Sequence, residues 1–136
     1  MKLSNEDFAR LLTFRDGLRR FLHWSEEQAR DAGVTAAQHQ LLLAVRGHGS
    51  SPSVNDLVEH LMQRHHSVVE LVDRAEAAGL VRRVGDPDDH RIVRIELRPK
   101  GVQALERLSA SHLEELSRIV PALNKLWREL PQASSG

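Results

Sequence analysis

The chain contains no cysteine. Disulfides, thiolate metal sites and thiol-based redox sensing are thereby excluded. It also lacks any apolar run near the roughly 18 residues of a membrane span, and nothing at its start reads as a secretory leader. A cytoplasmic protein with no membrane partner is the expectation. Net charge is missing as well, since 19 basic side chains balance 19 acidic ones. Nucleic-acid-binding chains usually carry a basic footprint, so the sum speaks against such a partner. The distribution speaks for it: Arg82, Arg83, Arg91, Arg94, Arg98 and Lys100 fall within one short stretch, against Asp86, Asp88, Asp89 and Glu96. The eight histidines add positive charge only below about pH 6.5.

At 136 residues the chain suits one domain with helical extensions. Capping signals divide it. Ser4 with Asp7, Thr35 with Gln38 and Ser53 with Asp56 each have the spacing of a capping box, in which side chains satisfy the free N–H groups of a helix start. The first helix is predicted over 5–32, with Phe8, Leu11, Leu12, Leu18, Phe21 and Leu22 as one apolar stripe, and ends at Gly33. The second buries Leu41, Leu42 and Val45 and stops at the loop Gly47-His48-Gly49-Ser50-Ser51-Pro52. A short third helix follows from Ser53. A fourth runs over 64–78, with Val68, Leu71, Val72 and Ala75 on its core face, and Gly79 ends it. The turn Leu61-Met62-Gln63 between them lacks the glycine often seen there.

Strands are predicted at 80–84 and 92–97, around the turn Gly85-Asp86-Pro87-Asp88-Asp89-His90-Arg91. Such a hairpin is marginal alone and must lean on the helices. Pro99 suits the first turn of a helix. That helix is predicted to yield at Pro121 to a last short one, with a frayed tail from Gln132. The order helix, helix, strand, turn, strand over 53–101 describes a winged helix-turn-helix, which places one helix in the DNA major groove and a hairpin beside it. The fold class is therefore mainly α with a small β-hairpin. Residues 35–98 form the winged helix-turn-helix lobe of a single domain spanning 1–136, and 1–34 and 99–136 are dimerisation helices. Apolar stripes at both ends, with few partners inside the chain, argue for an intertwined homodimer.

From Leu71 onward the sequence resembles the MarR (multiple antibiotic resistance regulator) family. The residues that carry the resemblance are Leu71-Val72-Asp73-Arg74, Ala78 to Arg83, Asp86-Pro87-Asp88-Asp89-His90-Arg91, then Leu97, Pro99, Lys100 and Gly101. The resemblance implies a homodimeric transcriptional regulator, commonly a repressor. Its partner is double-stranded DNA carrying a pseudo-palindromic operator, and such regulators are often released by small aromatic or phenolic effectors. Carried over to these positions, Arg91 is the wing-tip arginine entering the minor groove and Asp89 the carboxylate that holds it, a sensible pairing because a narrow minor groove concentrates negative potential. Arg64, His65, His66, Ser67 and Glu70 form the leading part of the recognition helix, with Ser67 where the family often has a hydroxyl. The sequence departs from the family pattern at Glu70, at Arg64-His65-His66 and at Arg98, which replaces a helix-capping threonine. The family's ligand cleft, between dimer region and lobe, brings in His23, Trp24 and His39.

Plainer readings stand beside these. Asp89 and Arg91 are alternatively a solvated hairpin tip. Arg94 is a phosphate contact or an ordinary surface arginine. Arg82 and Arg83, adjacent on a strand, point to opposite faces, so at most one faces DNA. His60, His65 and His66 form one histidine group and His23, His39 and His112 another, but neither has a compact metal-ligand spacing, so no metal and no cofactor is expected. The wing aspartates lack a convergent nucleophile or base, so an enzyme is not expected. The alternatives to a DNA-binding regulator are a winged-helix dimer that binds only protein, favoured by zero net charge and Glu70, and a metal-sensing regulator.

Overall fold

A computed structural model describes residues 1–132 of the chain. Of the tail expected from Gln132, residues 133–136 lie outside the described residues. The elements are α1 (Asn5–Asp31), α2 (Ala36–Gly47), α3 (Val54–Leu61), α4 (His65–Ala77), β1 (Val81–Gly85), β2 (Val93–Leu97) and α5 (Pro99–Glu129). They form two compact units, Gln28–Ser109 and, separately, Met1–Glu27 with the residues from Ala110 onward.

All three capping boxes are present. Ser4 N–H donates to Asp7 at 2.9 Å and Asp7 N–H to the Ser4 hydroxyl at 3.1 Å. Thr35 with Gln38 and Ser53 with Asp56 repeat the exchange. Gly33 and Gly79 take positive φ where α1 and α4 end. The glycine-free turn between α3 and α4 is closed by Met62 itself, at φ 53° and ψ 41°. An L-residue held there costs roughly 1–2 kcal/mol. With its side chain 90% exposed, Met62 recovers little of that by packing.

In the first unit, α2, α3 and α4 enclose a core of Leu41, Leu42, Leu57, Val68 and Val72, with Leu80, Val81, Ile95 and Leu105 closing it. The hairpin pairs antiparallel in the register Val81↔Leu97 to Gly85↔Val93. It leans on the helices as expected, through two devices. Ile95 is fully buried. The chain just before α3 also pairs with β2 through a single bridge: Ile95 N–H donates to Pro52 C=O at 2.8 Å and Ser53 bridges Arg94. Ser53 thus caps α3 and holds β2. Gly101 is required by close approach, because a Cβ there would lie 2.2 Å from the Leu80 carbonyl oxygen. Lys100 Nζ donates to Ala78 C=O at 2.9 Å, satisfying a carbonyl at the end of α4.

In the second unit, α1 and α5 lie side by side and antiparallel, since Arg10 pairs with Glu129, Gly17 faces Leu123 and Ser25 bonds His112. The break expected at Pro121 does not occur, and α5 runs through it as one helix. The fixed φ of proline suits a helix, and the sacrifice is the bond to the carbonyl of Ser117, within a cost of about 3 kcal/mol. Leu116, Ile119, Leu123 and Leu126 are partly buried on both sides of Pro121, and that continuous burial overrides the local signal. Phe8, Leu11, Leu12, Leu18 and Leu22 of α1 remain exposed, as do Leu113, Val120 and Trp127 of α5.

Candidate nucleic-acid interface

α4 buries Val68, Val72 and Ala75 and turns its other side outward. Arg64, His65, His66 and Glu70 are exposed and Ser67 is half-buried. Arg64 is the N-cap and makes no side-chain capping bond. The first-turn N–H groups, which have no partner inside a helix, are therefore not capped from within.

The wing turn is built on two aspartates. Asp86 Oδ1 accepts from the N–H groups of Asp88 at 2.8 Å and Asp89 at 3.0 Å, while its Oδ2 accepts from Arg94 Nε at 2.9 Å. These bonds, the Asp88 amide first and then Arg94, hold the Asp86 carboxyl below the ordinary carboxylate range. Asp89 accepts from the Nε and N–H of Arg91 through one oxygen and from its Nη2 through the other, all at 3.0–3.1 Å. The side-chain bond from Arg91 likewise lowers the Asp89 pKa. The Arg91 side chain is 90% exposed, so its guanidinium is oriented yet open to solvent.

Most of the wing's other basic groups are engaged internally. Arg82 bonds Glu96 across the hairpin at 2.8 Å. Arg83 holds Asp73 at 2.6 Å and Glu76 at 2.8 Å. Arg94, besides Asp86, donates to Ser51 C=O at 3.3 Å and lies 3.9 Å from Asp56. Sequence counting missed these pairings because each joins residues 7 or more positions apart. The one signal for the Arg83 clamp is the spacing of Asp73 and Glu76, three apart on a helix and hence on one side of it. Arg82 and Arg83 do point apart, and Arg83 faces the cleft described next.

α3, α4 and the hairpin surround a cleft of about 550 Å³. Asn55 and Asp56 line it from α3, His65 from α4, and Arg83, Arg91 and Arg94 from the hairpin. The structure thus brings His65, Arg91 and Arg94 to one concavity, with Asp89 orienting Arg91 from behind. His66, Ser67 and Glu70 do not line it.

The residues expected at a ligand cleft fall in different units. His23 is exposed beside Glu27 at 3.3 Å. Trp24 stacks on Phe21 at 5.8 Å and meets the His112 ring at 4.8 Å, and it lines a cavity of about 430 Å³ with Arg20, Phe21 and Arg118. His39 is buried in the other unit, on α2. The histidine groups rearrange too. His60 pairs with His48 rather than with His65 and His66, His60 Nε2 lying 2.9 Å from His48 Nδ1, and His112 bonds the Ser25 hydroxyl at 2.7 Å. Among the described residues no group of three or more His, Asp or Glu could hold a metal ion, and no helix is long and apolar enough to cross a membrane.

Residues 32–92 match the model of the MarR family. A transcriptional repressor of the helix-turn-helix type from Bacillus subtilis (strain 168), MdtR, is 27% identical over 108 residues, which are 79% of this chain and 68% of that protein. AbsC, a MarR family transcriptional regulator from Streptomyces coelicolor, superposes with a TM-score of 0.72 at 22% identity, covering 87% of this chain and 80% of that one. A cysteine-to-serine mutant of MarR from E. coli, complexed with operator DNA, superposes with a TM-score of 0.63 at 20% identity, covering 96% and 89%. At these identities the structural likenesses establish the fold, a winged helix with a two-stranded hairpin.

Proposed function

We propose that the chain, whose residues 32–92 match the model of the MarR family, is a ligand-responsive repressor that binds a pseudo-palindromic operator as a homodimer. The observation that carries this reading is the cleft between α3, α4 and the wing, with the oriented and solvent-open Arg91 at its edge. α4 is the recognition helix. Its uncapped first turn presents N–H groups and a positive dipole end, which suit a phosphate oxygen. Arg64 and His65 stand at that end. Arg91 enters the neighbouring minor groove, where a guanidinium held by Asp89 keeps its geometry while gaining the groove's potential. Arg94 braces the wing through Asp86 and supplies a weaker phosphate contact.

The homodimer is supported by the exposed apolar side chains of α1 and α5. Faces of this kind need a partner surface, and the fold relatives include a mutant MarR from E. coli complexed with operator DNA. A dimer would set its recognition helices about one helical turn, roughly 34 Å, apart. The effector reading is supported by the cavity beside Trp24, where the rings of Phe21 and Trp24, Arg20 and the ion pair of Arg118 with Glu115 suit a small phenolic compound. Such a ligand would act by favouring a lobe spacing that no longer matches the operator.

The test is a salt titration of binding to duplex from the region upstream of the protein's own gene. Tight, sequence-selective binding with a steep salt slope is expected. Weak binding equal to that of random DNA, at every salt concentration, would move the assignment to a protein-interaction module.

A further inference from the structure

α4 carries three carboxylates, Glu70, Asp73 and Glu76. Two of them are spent. The Arg83 guanidinium binds Asp73 at 2.6 Å and Glu76 at 2.8 Å, and the Arg83 N–H adds a bond to Glu76 at 3.0 Å. Glu70 alone has no hydrogen bond or ion pair among the described residues, although Arg74 stands one turn further on. Its position is also distinct. At about 100° per residue, Glu70 lies about 200° and His66 about 160° round the helix from the buried Val68. The two therefore flank the line opposite the core, the part of a recognition helix that goes deepest into a groove.

A free carboxylate in that place is repelled by every phosphate. It becomes favourable only where it accepts a hydrogen bond, because an ionised carboxylate has no donor. Two base groups offer donors in the major groove, the N4 amine of cytosine and the N6 amine of adenine. The adenine amine sits beside the N7 acceptor, which repels a carboxylate. Cytosine carries no such neighbour on its own groove edge.

We propose that Glu70 is a specificity-determining residue that selects a cytosine in each operator half-site by accepting from its N4 amine. The inference rests on the DNA-binding reading above and deepens it. The clamp on Asp73 and Glu76 is what makes the selection single. With those two acids neutralised, one carboxylate on the helix remains to be matched to a base.

The test is selection from a randomised duplex library by full-length protein, wild type beside Glu70→Gln and Glu70→Ala. Wild type should fix a cytosine at one position of each half-site, and changing that pair to T·A should weaken binding about tenfold or more. Glu70→Gln should move the preference to adenine, which an amide reads through N6 and N7. Glu70→Ala should flatten the position and raise affinity for random DNA. Because Glu70 is exposed and unpaired, both variants should melt as wild type does. An unchanged base preference in both variants overturns this inference while leaving DNA binding intact. Failure of wild type to enrich any duplex overturns the DNA-binding reading, and this inference with it.

Discussion

Replacing Arg91 by alanine removes one charge from each wing of the proposed dimer and disturbs little else, since the side chain is 90% exposed and its partner in the chain is Asp89 two residues away. Stability should therefore stay within about 0.5 kcal/mol of wild type. Binding should not. Each phosphate charge neutralised contributes about −0.9 to the slope of log K against log salt on duplex DNA. Two wings then account for about 1.8 of that slope, which the alanine variant should lose. Charge-assisted hydrogen bonds contribute about 1.5–3 kcal/mol each, so affinity at low salt should fall at least tenfold. Arg91→Lys separates charge from orientation. It should keep the salt slope, but a lysine cannot reproduce the paired bonds to Asp89, so preference for A·T-rich, narrow-groove flanks should fall. Fluorescence anisotropy across a salt series measures all three quantities. An alanine variant with the wild-type slope would refute the placement of Arg91 against DNA, whatever its affinity.

Three further outcomes follow from the lobe. Met62→Gly should stabilise the protein by about 0.5–1 kcal/mol in chemical denaturation, because relief of left-handed strain exceeds the added chain entropy and the exposed side chain has little packing to lose. Gly101→Ala should destabilise by about 3 kcal/mol or more, since the added methyl meets the Leu80 carbonyl, which itself accepts from Arg98 N–H at 2.9 Å. A melting temperature unchanged in that variant would contradict the close approach. The lowered pKa values of Asp86 and Asp89 fix the sign of a pH effect. Their stabilisation of the wing is complete above the unfolded carboxylate pKa of about 3.9 and is lost as pH falls through the lower folded values. Hydrogen exchange at the Asp88 and Asp89 amides, corrected for intrinsic rate, should show constant protection from pH 5 to 7 and loss only in stronger acid.

Much of this molecule is local and so was legible in the sequence. A capping box needs two residues three apart, and all three boxes form. The core face of α4 needs only helical periodicity. Gly33 and Gly79 need only the preference of a left-handed helix end. What was not legible depends on distance along the chain. Pro121 reads locally as a helix start and is overridden by burial along α1. The alliance of Pro52 and Ser53 with β2 leaves no periodic trace, nor does the His48–His60 pair. The candidate site shows the same division. Asp89 and Arg91 are two residues apart and readable, whereas the internal engagement of Arg82, Arg83 and Arg94 makes the wing far less basic to a partner than its composition suggests.

The Arg83 clamp has a consequence for how such a protein can change. The residues that hold α4 in place, Asp73 and Glu76 toward the hairpin and Val68, Val72 and Ala75 toward the core, are separate from those it presents, Arg64, His65, His66 and Glu70. Scaffold and vocabulary occupy different positions on one helix. On the operator-binding reading proposed above, a new operator can then be acquired by exchanging a few exposed side chains, one at a time, with each intermediate still folded. Drift in the target sequence meets no stability threshold along the way, and the same four positions are where a designer would write a different address.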